Sequence, residues 1–249
     1  MSADTGRFPS GNTFPPASAG VGSWAASYAS LAAFGMGLSA SQIVFHGTEI
    51  DKGTTDVFNS KSVSATITVA STPRGGTILL NTSTTASQFN GLSCVVSNGN
   101  GVVGLIKNER WAALGRMKFS AGSAQSNHEF GVTVGVGGIG LVTGNNSGVG
   151  IIIINGVAFL QINGGGLLTT VATTWTVDTT LYHDILVTFD LTTVRLFVDG
   201  VQVASTTTLT NMPNAAAGSH ATCCVINGTD TVNYTLSADA LGVFVQPPT

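Results

Sequence analysis

The chain has 249 residues, a formal net charge of −3 and only 8% charged side chains, against about 25% in an ordinary soluble domain. Without clustered Lys and Arg it has no electrostatic footprint for nucleic acid, and that class of partner is excluded. Its mean hydropathy of +0.35 points toward membranes, yet the longest apolar run, residues 149–160, is broken by Asn155-Gly156 and falls short of the roughly 20 residues that cross a bilayer.

Residues 1–20 are rich in Pro, Gly and Ser, with Pro9, Pro15 and Pro16, a composition that favours an extended arm. They lack the basic start and apolar centre of a secretory signal. In GSWAASYASLAAFGMG, Trp24, Tyr28, Leu31 and Phe34 recur at helical spacing, which predicts one short helix capped by Ser23. That helix either closes one end of the domain or docks as an apolar peg on a neighbouring protein. The expected division is therefore an anchoring or oligomer-contact segment over 1–40 and a single β domain over 41–249.

From Ser41 onward the pattern is strand and turn. Residues 42–46 form a short strand, and Val63, Ala65, Ile67 and Val69 alternate with hydroxyl residues as a half-buried strand does. Residues 92–96 and 102–106 flank SNGNG and predict a hairpin. Trp111, Ala113, Gly115, Met117 and Phe119 share one face of the next strand, with Arg110, Arg116, Lys118 and Leu114 on the other. Four of the nine basic residues crowd into 107–118, as either a solvated face or a surface for a polar or acidic partner. His128, Phe130, Val132 and Val134 alternate with Glu129 and Thr133, and the glycine-rich stretch 135–150 reads as a mobile loop. It matches no phosphate or dinucleotide fingerprint.

Asn155-Gly156 and Asp199-Gly200 carry the chemistry of two-residue hairpin turns. The ribbon 182–204, in which Ile185, Val187 and Phe189 precede Val194, Leu196 and Val198, reads as the organising element of the domain. Asn227-Gly228 predicts a hairpin between 221–226 and 232–236, and 241–245, apolar on both faces, closes the chain as an internal strand. Roughly fourteen strands at this spacing predict an all-β sandwich or barrel.

Chemistry-bearing constellations are sparse. A glycosidase needs two carboxyl groups facing one substrate, and none of Glu49, Glu109 and Glu129 begins an E-x-D-x-E pattern; Glu49 and Asp51 alternate in TEID, which reads as a short polar loop after a strand. His128-Glu129 and His183-Asp184 are sequence neighbours whose side chains point apart along a strand. No acidic loop gathers calcium ligands, and Cys94, Cys223, Cys224 and the four histidines lack zinc spacing. The expectation is no catalytic residue, no metal and no cofactor, with three buried reduced thiols in a protein that matures in a reducing cytoplasm. Glycan binding without metal would use an aromatic platform, for which Trp175 and Tyr182, flanking a loop, are the candidates.

Five segments carry a resemblance: ERWAALGRMKF at 109–119, HEFGVTV at 128–134, LYHDILVTFD at 181–190, VRLFVDGVQVAS at 194–205 and ALGVFV at 240–245. Together they resemble the concanavalin A-like, or laminin G-like, two-sheet antiparallel jelly roll, in the form met in tailed-phage virion proteins. The resemblance implies a non-enzymatic capsid decoration or other external accessory protein. Such a protein would be homo-oligomeric, would sit on the virion after assembly in the host cytoplasm, and would attach to major capsid or other virion proteins through Trp24, Tyr28, Leu31 and Phe34. The alternative it leaves open is a lectin-like module that adheres to host or environmental glycans.

Overall fold

A computed structural model describes residues 42–46, 57–61, 64–70, 77–95, 110–134, 147–213 and 219–246. The arm and helix expected within 1–40, with Trp24, Tyr28, Leu31 and Phe34, lie outside the described residues. Fifteen strands occur among the described residues and are numbered along the chain. They are β1 (Gln42–His46), β2 (Val57–Lys61), β3 (Thr66–Ala70), β4 (Thr77–Asn81), β5 (Phe89–Val95), β6 (Arg110–Phe119), β7 (Asn127–Val134) and β8 (Ser147–Ile154). There follow β9 (Val157–Gly164), β10 (Leu167–Thr176), β11 (His183–Phe189), β12 (Val194–Val198), β13 (Val201–Thr206), β14 (Ser219–Ile226) and β15 (Thr235–Gln246).

The strands form two antiparallel sheets packed face to face. The first runs β13-β12-β11-β6-β15-β4-β3, with β1 also on β15; the second runs β10-β9-β8-β7-β14-β5-β2. β15 is long enough to serve two partners on one edge, pairing residues 235–238 with β4 and 240–244 with β1. A register shift between Ala238 and Ala240 separates the two. This is an all-β sandwich, one of the two architectures that the alternating pattern predicts, in the two-sheet jelly-roll form that the resemblance implies.

The core lies between the sheets, where the period-two rule places it. Trp111, Met117 and Phe119 of β6, Phe130 and Val132 of β7, Ile151 of β8, Leu160 of β9 and Val187 and Phe189 of β11 join one buried cluster. The hairpins turn where their residues allow. Asn155 and Gly156 have φ of 51° and 74° and connect β8 to β9, while Asp199 and Gly200 have φ of 50° and 80° and connect β12 to β13. Both pairs are the positive-φ dipeptides that match the right-handed strand twist.

The hairpin predicted across SNGNG has its turn and its second strand, 102–106, outside the described residues; its first strand, β5, pairs with β14 on one edge and β2 on the other. Three local expectations are corrected. β14 and β15 are not hairpin partners: Asn227-Gly228 turns the chain from the second sheet into the first. There the Asn227 side chain accepts from Gln88 N at 2.7 Å and donates to the Thr85 carbonyl at 2.7 Å. The glycine-rich stretch contributes its last four residues to β8, where Gly148 and Gly150 stand opposite Thr133 and Gly131. Finally, the ribbon β11–β13 forms one edge of its sheet, and β6 and β15 are the central pair.

Candidate functional site

The outer face of the second sheet, turned away from the core, collects polar side chains from four strands. Register aligns them in rows: Thr170, Gln161, Gly150, Gly131 and Thr222 across β10, β9, β8, β7 and β14, with Leu168, Asn163, Gly148 and Thr133 beside them. A third row holds Ala172, Phe159, Ile152, Glu129 and Cys224. Gln161 and Thr222 stand three strand spacings apart, about 14 Å, with only glycines between them.

The face runs from an exposed rim to an enclosed floor. Leu168, Thr170 and Ala172 on β10 are exposed and Phe159 is half-buried, whereas Gln161, Asn163, Glu129, Thr133 and Thr222 are each no more than 4% exposed. Hydroxyls of Thr133 and Thr222 bond each other at 2.9 Å. The Cys224 thiol donates to Glu129 Oε2 at 3.6 Å. Gln161 Oε1 is buried and has no hydrogen-bond partner among the described residues, a costly state for an amide oxygen. Gly131 is required where it stands: a Cβ there would lie 2.2 Å from the Val149 carbonyl oxygen and 2.6 Å from Gly150 Cα.

A second cluster ties β11 to the β12–β13 turn. His183 Nδ1 lies 2.7 Å from Asp199 Oδ2 and its Nε2 lies 3.1 Å from the Asp178 carbonyl, while Asp184 N donates to Asp199 Oδ1 at 2.9 Å. Two acceptors on one imidazole favour the doubly protonated ring; the hydrogen bond to Asp199 raises the His183 pKa against the opposing effect of burial. Burial disfavours the Asp199 charge, but the bonds from His183 and Asp184 N outweigh it and hold that carboxyl below its ordinary range. Asp184 itself points to the other face and pairs with Arg116 at 3.2 Å, as strand alternation requires. Both ring nitrogens of His183 are engaged by the protein, so the cluster fastens a turn and is not arranged for proton transfer.

Trp175 lies on the inward side of β10, half-buried and packed on the core, with its ring 5.0 Å from that of His183 and 6.4 Å from that of Phe119. Tyr182 is half-buried in the segment before β11. Trp175 thus packs on the core with its ring half-buried, and a separate set of buried polar groups lies on the outer face of β7, β9 and β14. Strand alternation in HEFGVTV and VAFLQING was the signal for that face; what joined the segments was register. Cys223 belongs to the core and Cys224 to the outer face. Both are buried thiols outside any disulfide, and burial pushes the Cys223 thiol up to about 12. Among the described residues no group of three His, Cys, Asp or Glu is placed to hold a metal ion, and no helix is long and apolar enough to cross a membrane.

No family model matches the sequence, and no curated protein matches it. Solved structures do. An endo-β-1,4-glucuronan lyase from the fungus Trichoderma reesei is similar at a TM-score of 0.56 and 12% identity, over 82% of this chain and 94% of the lyase. A carbohydrate esterase from the Shiga toxin-encoding bacteriophage phi24B is similar at 0.54 and 17% identity, over 84% and 100%. The carbohydrate recognition domain of Emp47p is similar at 0.51 and 14% identity, over 76% and 88%. At these identities the likeness is one of fold: the chain is a concanavalin-like jelly-roll sandwich, an architecture that serves both enzymes and binding domains among these neighbours.

Proposed function

We propose that this chain is a non-enzymatic, carbohydrate-binding jelly roll of a phage particle, with the outer face of the second sheet as its binding surface. The observation that carries the reading is the row holding Gln161, whose buried Oε1 has no donor among the described residues and whose neighbour across the ladder, Thr170, is exposed. A sugar presents vicinal hydroxyls that donate and accept at once, and it supplies the donor that this amide oxygen lacks. The glycan enters from the β10 rim, meets Phe159 and Thr170, and reaches Gln161 as its innermost contact.

Binding fits the face better than hydrolysis does. Glycoside hydrolysis uses two carboxyl groups about 5 to 9.5 Å apart, and Glu129 is the carboxylate that this face carries among the described residues. The virion setting draws on a surface wetted by hydroxyls and amides, with only 8% charged residues, suited to packing among other subunits.

The test is retention of the full chain on immobilised bacterial and environmental polysaccharides, with Gln161→Ala beside it. We expect the parent to bind at least one glycan and the variant to bind it about tenfold more weakly, the equivalent of about 1.4 kcal/mol, with an unchanged melting temperature. Equal retention of the variant, no retained glycan, or release of new reducing or unsaturated ends would overturn the proposal.

A further inference from the structure

Asparagine followed by glycine is open to attack by its own main chain, because the glycine amide carries no neighbouring Cβ to obstruct its approach to the side-chain carbonyl carbon. Four such pairs occur among the described residues: Asn90-Gly91, Asn155-Gly156, Asn163-Gly164 and Asn227-Gly228. The fold protects three of them. Asn90, Asn163 and Asn227 are 0%, 1% and 0% exposed. Asn90 Nδ2 donates to the Thr66 carbonyl at 2.7 Å, and Asn163 Oδ1 accepts from Gly166 N at 2.9 Å. The Asn227 amide is held at both ends, by Gln88 N and by the Thr85 carbonyl. In each pair the side-chain carbon moves only after a local opening of the structure.

Asn155 and Gly156 are both exposed. Among the described residues the Asn155 side chain makes no hydrogen bond and Gly156 N donates none, and a Cβ at Gly156 would meet nothing within 4 Å. The main chain of Asn155 is tied, its N donating to the Ser123 carbonyl at 3.0 Å. The turn also has the right dihedrals. With φ of 51° at Asn155 and 74° at Gly156, it is positive at both positions, as in type I′. Rotating the peptide plane between the two residues gives type II′, which keeps Asn155 φ positive, makes Gly156 φ negative and still closes a two-residue hairpin. That rotation brings Gly156 N toward Asn155 Cγ while Ile154 stays paired with Val157.

We infer that Asn155 is a site of spontaneous, irreversible deamidation in the folded protein. Gly156 N loses its proton to hydroxide and bonds to Asn155 Cγ; the Cγ–Nδ2 bond breaks, and the nitrogen takes a proton from water and leaves as ammonia. Water then adds to either carbonyl carbon of the five-membered imide and opens the ring, giving aspartate or isoaspartate and one new negative charge. Aspartate leaves an Asp-Gly turn, the pair that already connects β12 to β13. Isoaspartate places an extra main-chain methylene in a loop whose length sets the register of β8 on β9. The inference is independent of the glycan-binding reading.

The test is incubation of the full chain over weeks at mildly alkaline pH, folded and in urea. Samples are digested, and the four Asn-Gly peptides are resolved into asparagine, aspartate and isoaspartate forms by mass spectrometry with electron-transfer fragmentation. In the folded chain we expect Asn155 to convert at least about tenfold faster than Asn90, Asn163 and Asn227, which wait on local opening, with isoaspartate among its products. In urea the four rates should converge, chiefly because the other three rise. A folded-state rate at Asn155 no higher than theirs, conversion to aspartate without isoaspartate, or a rate at Asn155 that rises in urea as steeply as theirs would overturn the assignment.

Discussion

His128 shows how one position reports on burial. Its ring lies in the interior at 0% exposure, edge-on to Phe119 at 5.8 Å and to Tyr234 at 6.4 Å, with Nε2 3.1 Å from Ser120 Oγ and 3.1 Å from the Thr235 carbonyl. Burial lowers its pKa from 6.5 to about 4, with the Thr235 carbonyl opposing the shift. The unfolded chain therefore binds a proton that the folded chain refuses, and stability falls as pH drops through the window from about 6.5 to about 4. At pH 4.5 the loss from this group is about 2 to 3 kcal/mol. Urea unfolding of the parent and of His128→Gln at pH 7 and pH 4.5 checks this: the variant should lose about 2 to 3 kcal/mol less between the two, and identical losses would refute it. The neutral, buried state was not legible in HEFGVTV, since alternation places a histidine inside without saying whether its charge survives there.

Among the elements, the β12–β13 hairpin does more than reverse the chain. Asp199 accepts the positive φ of the turn and at the same time holds His183 and the amide of Asp184 at the start of β11. The turn was legible from Asp-Gly alone; its link to His183, sixteen residues earlier, depends on β12 pairing beside β11. Asp199→Asn keeps the turn chemistry and removes the charge. In that variant the His183 pKa, followed by NMR titration, should fall toward or below its ordinary value, and an unmoved titration would show that Asp199 does not set it. The sign for stability is the reverse of that for His128. A raised folded pKa stabilises fully below about 6.5, and that contribution is lost as pH rises through the folded value. The parent should therefore lose its advantage over Asp199→Asn as pH climbs.

At the scale of the molecule, the sandwich is held by contacts between sheets, and Gly115 against Phe130 is a defining one. A Cβ at Gly115 would come within 3.0 Å of the Phe130 ring, so β6 and β7 approach closely because one side carries no side chain. Phe130→Ala opens a cavity at this junction and should cost about 3 to 5 kcal/mol, measured by denaturant unfolding; a cost below about 1 kcal/mol would show that the sheets collapse to fill it. The sequence by itself determined the strands, the Asn-Gly and Asp-Gly turns, the opposite faces of Cys223 and Cys224, and the class of fold, because each follows from a two-residue period or a local dihedral demand. Only the tertiary structure decided which strands are neighbours, that Leu114 on a basic face is enclosed, and that Gln161, Glu129 and Thr222 share one surface. Those facts depend on register between segments far apart in the chain, on which local periodicity is silent.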